Sequence, residues 1–138
     1  MDDFRQMINF DELTSDDTIA LACAAAEAIR GLNRATSCDA GLGQPSAAYD
    51  IIGALNLTAS RVPQLLTQID RWLGQALAAG RLGHDLGQDP AAAIDAAGIF
   101  LHDACTSAAA LAGDLNQAQQ QLALINGRPR NHYHREQP

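Results

Sequence analysis

The chain has 138 residues, which is enough for one domain with a sizeable hydrophobic core. Its formal net charge is −7, and its nine basic residues are all arginine. Such a surface repels phosphate backbones and anionic lipid, so general affinity for nucleic acid or membranes is disfavoured. No stretch of the sequence is apolar and long enough to span a bilayer.

The cysteines and the N-terminus favour a cytoplasmic protein. Cys23, Cys38 and Cys105 are odd in number and form no metal-type pair, which predicts reduced thiols. The opening MDDFRQMINFDEL is acidic and lacks the basic and apolar regions of a signal peptide. We therefore expect it to belong to the mature protein.

Residues 1–14 are predicted to form an N-terminal arm that carries several large apolar side chains. These are Phe4, Met7, Ile8, Phe10 and Leu13. Ser15 then reads as a helix N-cap, and the acidic residues after it suit the positive end of a helix dipole. The first firm helix is predicted from about Asp16 to Ala35.

A second helix is predicted to begin at Pro45, because proline suits the first helical position. Its apolar positions recur in alternating steps of four and three, as in a coiled coil. They are Ala48, Ile52, Leu55, Ala59, Val62, Leu66, Ile69, Leu73, Ala76 and Gly80. Since this seam continues through Pro63, we predict one long helix kinked there; the alternative is two helices with a tight corner.

The third helix is predicted to start at Asp89-Pro90, a cap followed by a first-turn proline, and to stop at Gly127. It carries a second seam with steps of three and four. The positions are Ile94, Ala97, Leu101, Ala104, Ala108, Leu111, Leu115, Ala118, Leu122 and Ile125. Residues 128–138 are polar and are predicted to form a disordered tail.

These elements predict an all-α antiparallel bundle over residues 15–127, in which a shorter first helix and the arm cover a long two-helix hairpin. The first helix, about 30 Å long, covers only half of that hairpin. The other half is left with bulky flanking side chains, namely Leu65, Trp72, Ile99 and Phe100. The arm, with Phe4 and Phe10, or a second subunit, or a different protein is expected to cover them.

No catalytic, cofactor or metal site is predicted. Glutamates paired with histidines, as di-iron bundles require, are absent from the sequence. His102 and Cys105 stand three apart on one helix, but His102 falls on the predicted outer face with Asp95. Asp50, Asp70 and Asp103 are also interpreted as solubilising charges, so we expect a protein that is not an enzyme.

Two short motifs resemble known peptides. Trp72-Leu73-Gly74 is similar to the turn of the secreted Trp-x-Gly helical hairpins, but here the predicted helix continues past it. Gly127-Arg-Pro-Arg resembles the core of AT-hook peptides, which lay arginines in a narrow minor groove. That resemblance would make Arg128, Arg130 and Arg135 contacts to AT-rich DNA, whereas the alternative is a solvated tail.

Residues 45–126 have two characteristic features. One is the DPAAA start of a helix, and the other is an apolar seam that is interrupted by a proline and ends in Trp-Leu. In composition and pattern the chain resembles uncharacterised alanine-rich helical-bundle proteins of high-GC actinobacteria. That resemblance implies no activity. We predict a protein–protein interaction or self-association module, most simply a homodimer, with a DNA-associated accessory protein as the alternative.

Overall fold

A computed structural model of the chain describes residues 12–128. The chain divides into two compact units, Met1–Gly43 and Gln44–Pro138. The described residues contain four α-helices and no β-strand, which confirms the predicted all-α class.

The first unit contains α1 (Ser15–Ala35), which begins with a capping box. The Asp17 backbone N–H donates to the Thr14 hydroxyl (3.3 Å), and the Thr14 backbone N–H donates to the Asp17 carboxylate (3.0 Å). These bonds from the Thr14 backbone and side chain hold the pKa of Asp17 below its usual range. The N-cap is therefore Thr14 and not Ser15 as the sequence predicts, since the Thr14 side chain is the one that reaches the third helical N–H.

A short helix, α2 (Asp39–Leu42), follows in a segment that the sequence predicts as a loop. The chain turns so tightly there that a β-carbon on Gly41 would lie 1.7 Å from the Ala35 carbonyl oxygen. Because the clash would be with the backbone, only glycine fits at this position. The sequence shows Gly41 but not the carbonyl that requires it.

The second unit begins with α3 (Pro45–Ala78), which is continuous through Pro63. The prediction of one long helix is thus confirmed, and the two-helix alternative is wrong. Trp72 and Gly74 lie inside the helix, so they form no hairpin turn. The helix closes with a C-terminal motif in which Gly80 has a φ of 70° and the Arg81 N–H donates to the Ala76 carbonyl.

The last helix is α4 (Pro90–Leu122), which Asp89 caps by accepting a hydrogen bond from the Ala91 N–H at 3.0 Å. It ends five residues before the predicted stop at Gly127. The helices α3 and α4 pack against each other as an antiparallel hairpin, as predicted.

The hairpin has a thin core. Within residues 12–128, only Ala59 and Ala76 are buried. On α4 the seam is displaced by one residue at three places: the half-buried residues are Cys105, Ala112 and Gln119. The sequence predicts Ala104, Leu111 and Ala118 there, and all three are exposed. Apolar pattern alone misses this, because Cys105 and Gln119 satisfy their polar atoms on carbonyls of α3.

The domain boundaries at residues 14 and 127 stay predictions, as does the packing of the first helix against the hairpin. Most of the predicted arm and nearly all of the predicted tail lie outside the described residues.

Candidate interaction surfaces

The α3–α4 hairpin has one face that is rich in exposed, large apolar side chains. We call it the apolar face and define it by five residues: Leu65, Ile69, Trp72, Phe100 and Leu111. Helical spacing places the three on α3 and the two on α4 on the same side of the seam between the helices. Three of the predicted interface residues, Leu65, Trp72 and Phe100, therefore share a surface.

This face is open and carries little charge along α3. Trp72 is 54% exposed and Phe100 is 72% exposed. On α3, the positions of this face from Ile51 to Ala76 carry one charged side chain, Arg61, which lies one turn before Leu65. A cluster of exposed large apolar residues with little charge is typical of a surface that binds another protein.

The apolar face has a positively charged side chain at one end. The Arg81 guanidinium lies over the Trp72 ring, 5.5 Å from its centroid. Arginine stacks on tryptophan through the negative face of the ring, an attraction that strengthens when water is excluded. Trp72 and Arg81 are also among the residue types that most often dominate binding energy at interfaces.

The opposite face of the hairpin holds an open groove of 640 Å³. We call this side the groove face. The lining residues of the groove are Asp70, Arg71, Gly74, Leu77, Ile94, Asp95, Gly98, Ile99, His102 and Asp103. A smaller depression of 320 Å³ shares Asp70 and His102 with it and extends to Cys105.

Several polar and charged side chains, which the sequence predicts as separate outer-face groups, lie together around the groove. Asp70, Asp95 and Asp103 converge there with His102, and all four are exposed. Gly74 and Gly98 leave the space between them. The signal for this groove in the sequence is a glycine on each helix, Gly74 on α3 and Gly98 on α4, opposite aspartates of the other helix. Across the described residues, no three His, Cys, Asp or Glu side chains are close enough to hold a metal ion.

Ile99 is the predicted interface residue that lies elsewhere. It lines the groove, so it faces away from its neighbour Phe100 although both are exposed. Consecutive residues of a helix are about 100° apart, so two adjacent bulky residues rarely serve one surface. Phe4 and Phe10, also predicted at the interface, lie outside the described residues.

Of the residues predicted to contact DNA, Arg128 is exposed at the end of the described chain, and Arg130 and Arg135 lie beyond it. Among the described helices, none combines the length and hydropathy needed to cross a membrane.

Comparison with known proteins gave no match: no described family, no curated protein and no solved structure is similar to this chain.

Proposed function

We propose that the protein is a non-enzymatic, cytoplasmic self-association module that forms a homodimer through the apolar face. One observation carries this proposal: a hairpin that fully buries only two alanines exposes Leu65, Trp72 and Phe100 side by side. A helix layer with an apolar stripe gains stability when a second layer covers the stripe.

The energy and the area available are those of an ordinary interface. Burying a Leu, Phe or Trp side chain is worth roughly 1.5–3 kcal/mol. From residue 51 to residue 76 the face is about 40 Å long, and two helices are about 20 Å wide. That gives about 800 Å² per copy, which is close to the contribution of one partner to a standard stable interface.

A second copy suits this face because a two-fold axis buries the same apolar patch on both partners. The α3 side carries Leu65, Ile69 and Trp72, and the α4 side carries Phe100 and Leu111 with small Ala97 and Ala104 beside them. When the α3 of each copy lies over the α4 of the other, the alanines leave room for large side chains of the partner.

Analytical ultracentrifugation tests the proposal. The wild type is expected to be dimeric at micromolar concentrations, and Trp72→Ala combined with Phe100→Ala is expected to be monomeric. Ile99→Ala is the matched control, because Ile99 is also highly exposed but lies on the groove face. A wild type that stays monomeric at high micromolar concentration would contradict the dimer and leave the arm or another protein as the cover.

The second candidate is a DNA-associated accessory protein, favoured by the exposed Arg128 that opens the Arg-Pro-Arg segment. The net charge of −7 opposes it. Fluorescence anisotropy with an AT-rich duplex, using the full chain and a chain without residues 128–138, distinguishes the two. Binding that disappears with the tail supports DNA contact, and equal weak binding by both chains excludes it.

A further inference from the structure

Cross-helix contacts between α3 and α4 recur once per heptad. The Gln119 amide donates to the Tyr49 carbonyl (3.5 Å), and the Asn56 amide donates to the Ala112 carbonyl. One heptad further along, the Cys105 thiol donates to the Pro63 carbonyl (3.5 Å). Positions 49, 56 and 63 on α3 thus meet 119, 112 and 105 on α4, in steps of seven on both helices.

A fourth contact continues the same series, seven residues further along each helix. The Asp70 carboxylate lies against Gly98, where a β-carbon would be 3.0 Å from its oxygen. A glycine also makes room at the other end, since a β-carbon on Gly53 would lie 2.4 Å from the Gln119 amide nitrogen. We call the three hydrogen-bonded pairs and this fourth contact the ladder.

The rest of the hairpin does little to choose one alignment of the helices over another. Within the described residues no large side chain is fully buried, so few interlocking contacts oppose a shift of one heptad. The connection of eleven residues, 79–89, contains Gly80, Gly83 and Gly87. A one-heptad shift moves α4 by about 10.5 Å, which such a connection spans easily.

We propose that the ladder selects the register of the hairpin, with Asn56, Cys105 and Gln119 as the register-determining side chains. In a shifted register, half-buried amides would lose their partners, and a polar group buried without a partner is strongly disfavoured. Polar side chains at seam positions fix coiled-coil register in the same way. The ladder also sets Phe100 level with Ile69 and so fixes the composition of the apolar face.

A thiol cross-link detects the shift, with native Cys105 as the reporter. In the native register position 70 faces Gly98, and it is one heptad from Cys105, too far for a disulfide. A shift of one heptad brings positions 70 and 105 together, and a shift in the opposite direction brings 56 and 105 together. Cys23→Ser and Cys38→Ser remove the remaining thiols from the background.

The first variant carries Asp70→Cys, Asn56→Ala and Gln119→Ala; the second carries Asn56→Cys and Gln119→Ala. With oxidised glutathione as oxidant, we expect an intramolecular disulfide to Cys105 in at least one of them, identified by peptide mass spectrometry. Its yield should exceed that of Asp70→Cys alone by at least tenfold. Asp70→Cys combined with Gln68→Ala and Asn116→Ala, which removes one glutamine and one asparagine amide from exposed positions, should give no such bond.

Circular dichroism distinguishes a change of register from a loss of folding, because only the loss of folding reduces the helix content. If both variants keep their helices and neither forms the disulfide, packing sets the register and the proposal is wrong. If the variants lose their helices, Gln119→Ala with Asp70→Cys is the milder test, and loss of helices there too would overturn the proposal by showing that the contacts hold the hairpin together. The outcome does not depend on dimer formation, because the disulfide forms within one chain.

Discussion

The apolar face and the groove face are built from the same two helices, and they differ in what they leave exposed. The apolar face shows Trp72 and Phe100, and Arg61 is the one charged side chain on its α3 side. The groove face exposes Asp70, Asp95 and His102 around a depression that two glycines keep open. We propose that the first is covered by another protein layer and that the second faces water. Exposure alone does not distinguish the two faces, since Ile99 and Phe100 are both highly exposed.

The largest difference between the two faces should appear in the dimer dissociation constant when arginine replaces one isoleucine on each face, Ile69 on the apolar face and Ile99 on the groove face. Ile69→Arg puts a guanidinium into the centre of the proposed interface, where an unpaired buried charge costs about 3–5 kcal/mol. We expect its dimer dissociation constant to rise by roughly a hundredfold or more, as measured by ultracentrifugation.

Ile99→Arg is the control for that change, because it adds the same side chain to the groove face. Its dissociation constant should stay within about threefold of the wild type, since surface substitutions away from an interface have small effects. Equal weakening by both arginines would show that the two faces do not differ in the way we propose.

The next effect concerns Pro63, which contributes its carbonyl to the ladder. Pro63→Ala restores the N–H that α3 lacks and leaves that carbonyl in place. We expect the free energy of unfolding to rise by about 1 kcal/mol, because the gain in helix stability exceeds the loss of chain stiffness. Thermal melts measure this, and a clear loss of stability would mean that the ring of Pro63 itself packs in the seam.

A smaller effect on the free energy of unfolding should distinguish two glycines of α4, Gly113 and Gly98. A β-carbon on Gly113 would meet nothing within 4 Å, so Gly113→Ala should raise the free energy of unfolding by about 0.5–1 kcal/mol. Gly98→Ala gains the same helix propensity but crowds Asp70, so its net gain should be smaller. Urea denaturation of both variants gives the comparison, and an equal gain would show that Asp70 moves freely away from α4.

The smallest effect is the response of the dimer to salt. An interface on the apolar face should keep its dissociation constant within about threefold between low and moderate sodium chloride, because screening acts on charges and few lie on this face. Association through the groove face would involve Asp70, Asp95 and Arg71 and would change steeply. Sedimentation at several salt concentrations distinguishes the two.

Caps and periodicity were enough to predict the three long helices from sequence, but not the short α2. Pro45 and Asp89-Pro90 mark the observed starts of α3 and α4, and the unbroken spacing across Pro63 indicates one helix. The seam of α4 was harder, because choosing apolar residues favours Leu111 over Ala112. Main-chain carbonyls on the opposite helix let polar Asn56 and Gln119 lie inward, and a linear pattern does not show those acceptors. Ile99 lines the groove although the sequence groups it with Phe100, because adjacent helical residues that flank a seam lie on opposite sides of it.

The stacking of Arg81 on Trp72 gives the protein a built-in optical probe. The chain contains a single tryptophan, so its entire indole emission comes from one point on the apolar face. Exposed indoles emit at longer wavelength than buried ones, and a guanidinium over the ring makes the signal sensitive to any change at that end of α3. The intrinsic fluorescence of the unmodified protein, followed over a dilution series, therefore reports whether the face is covered, without a label or a substitution.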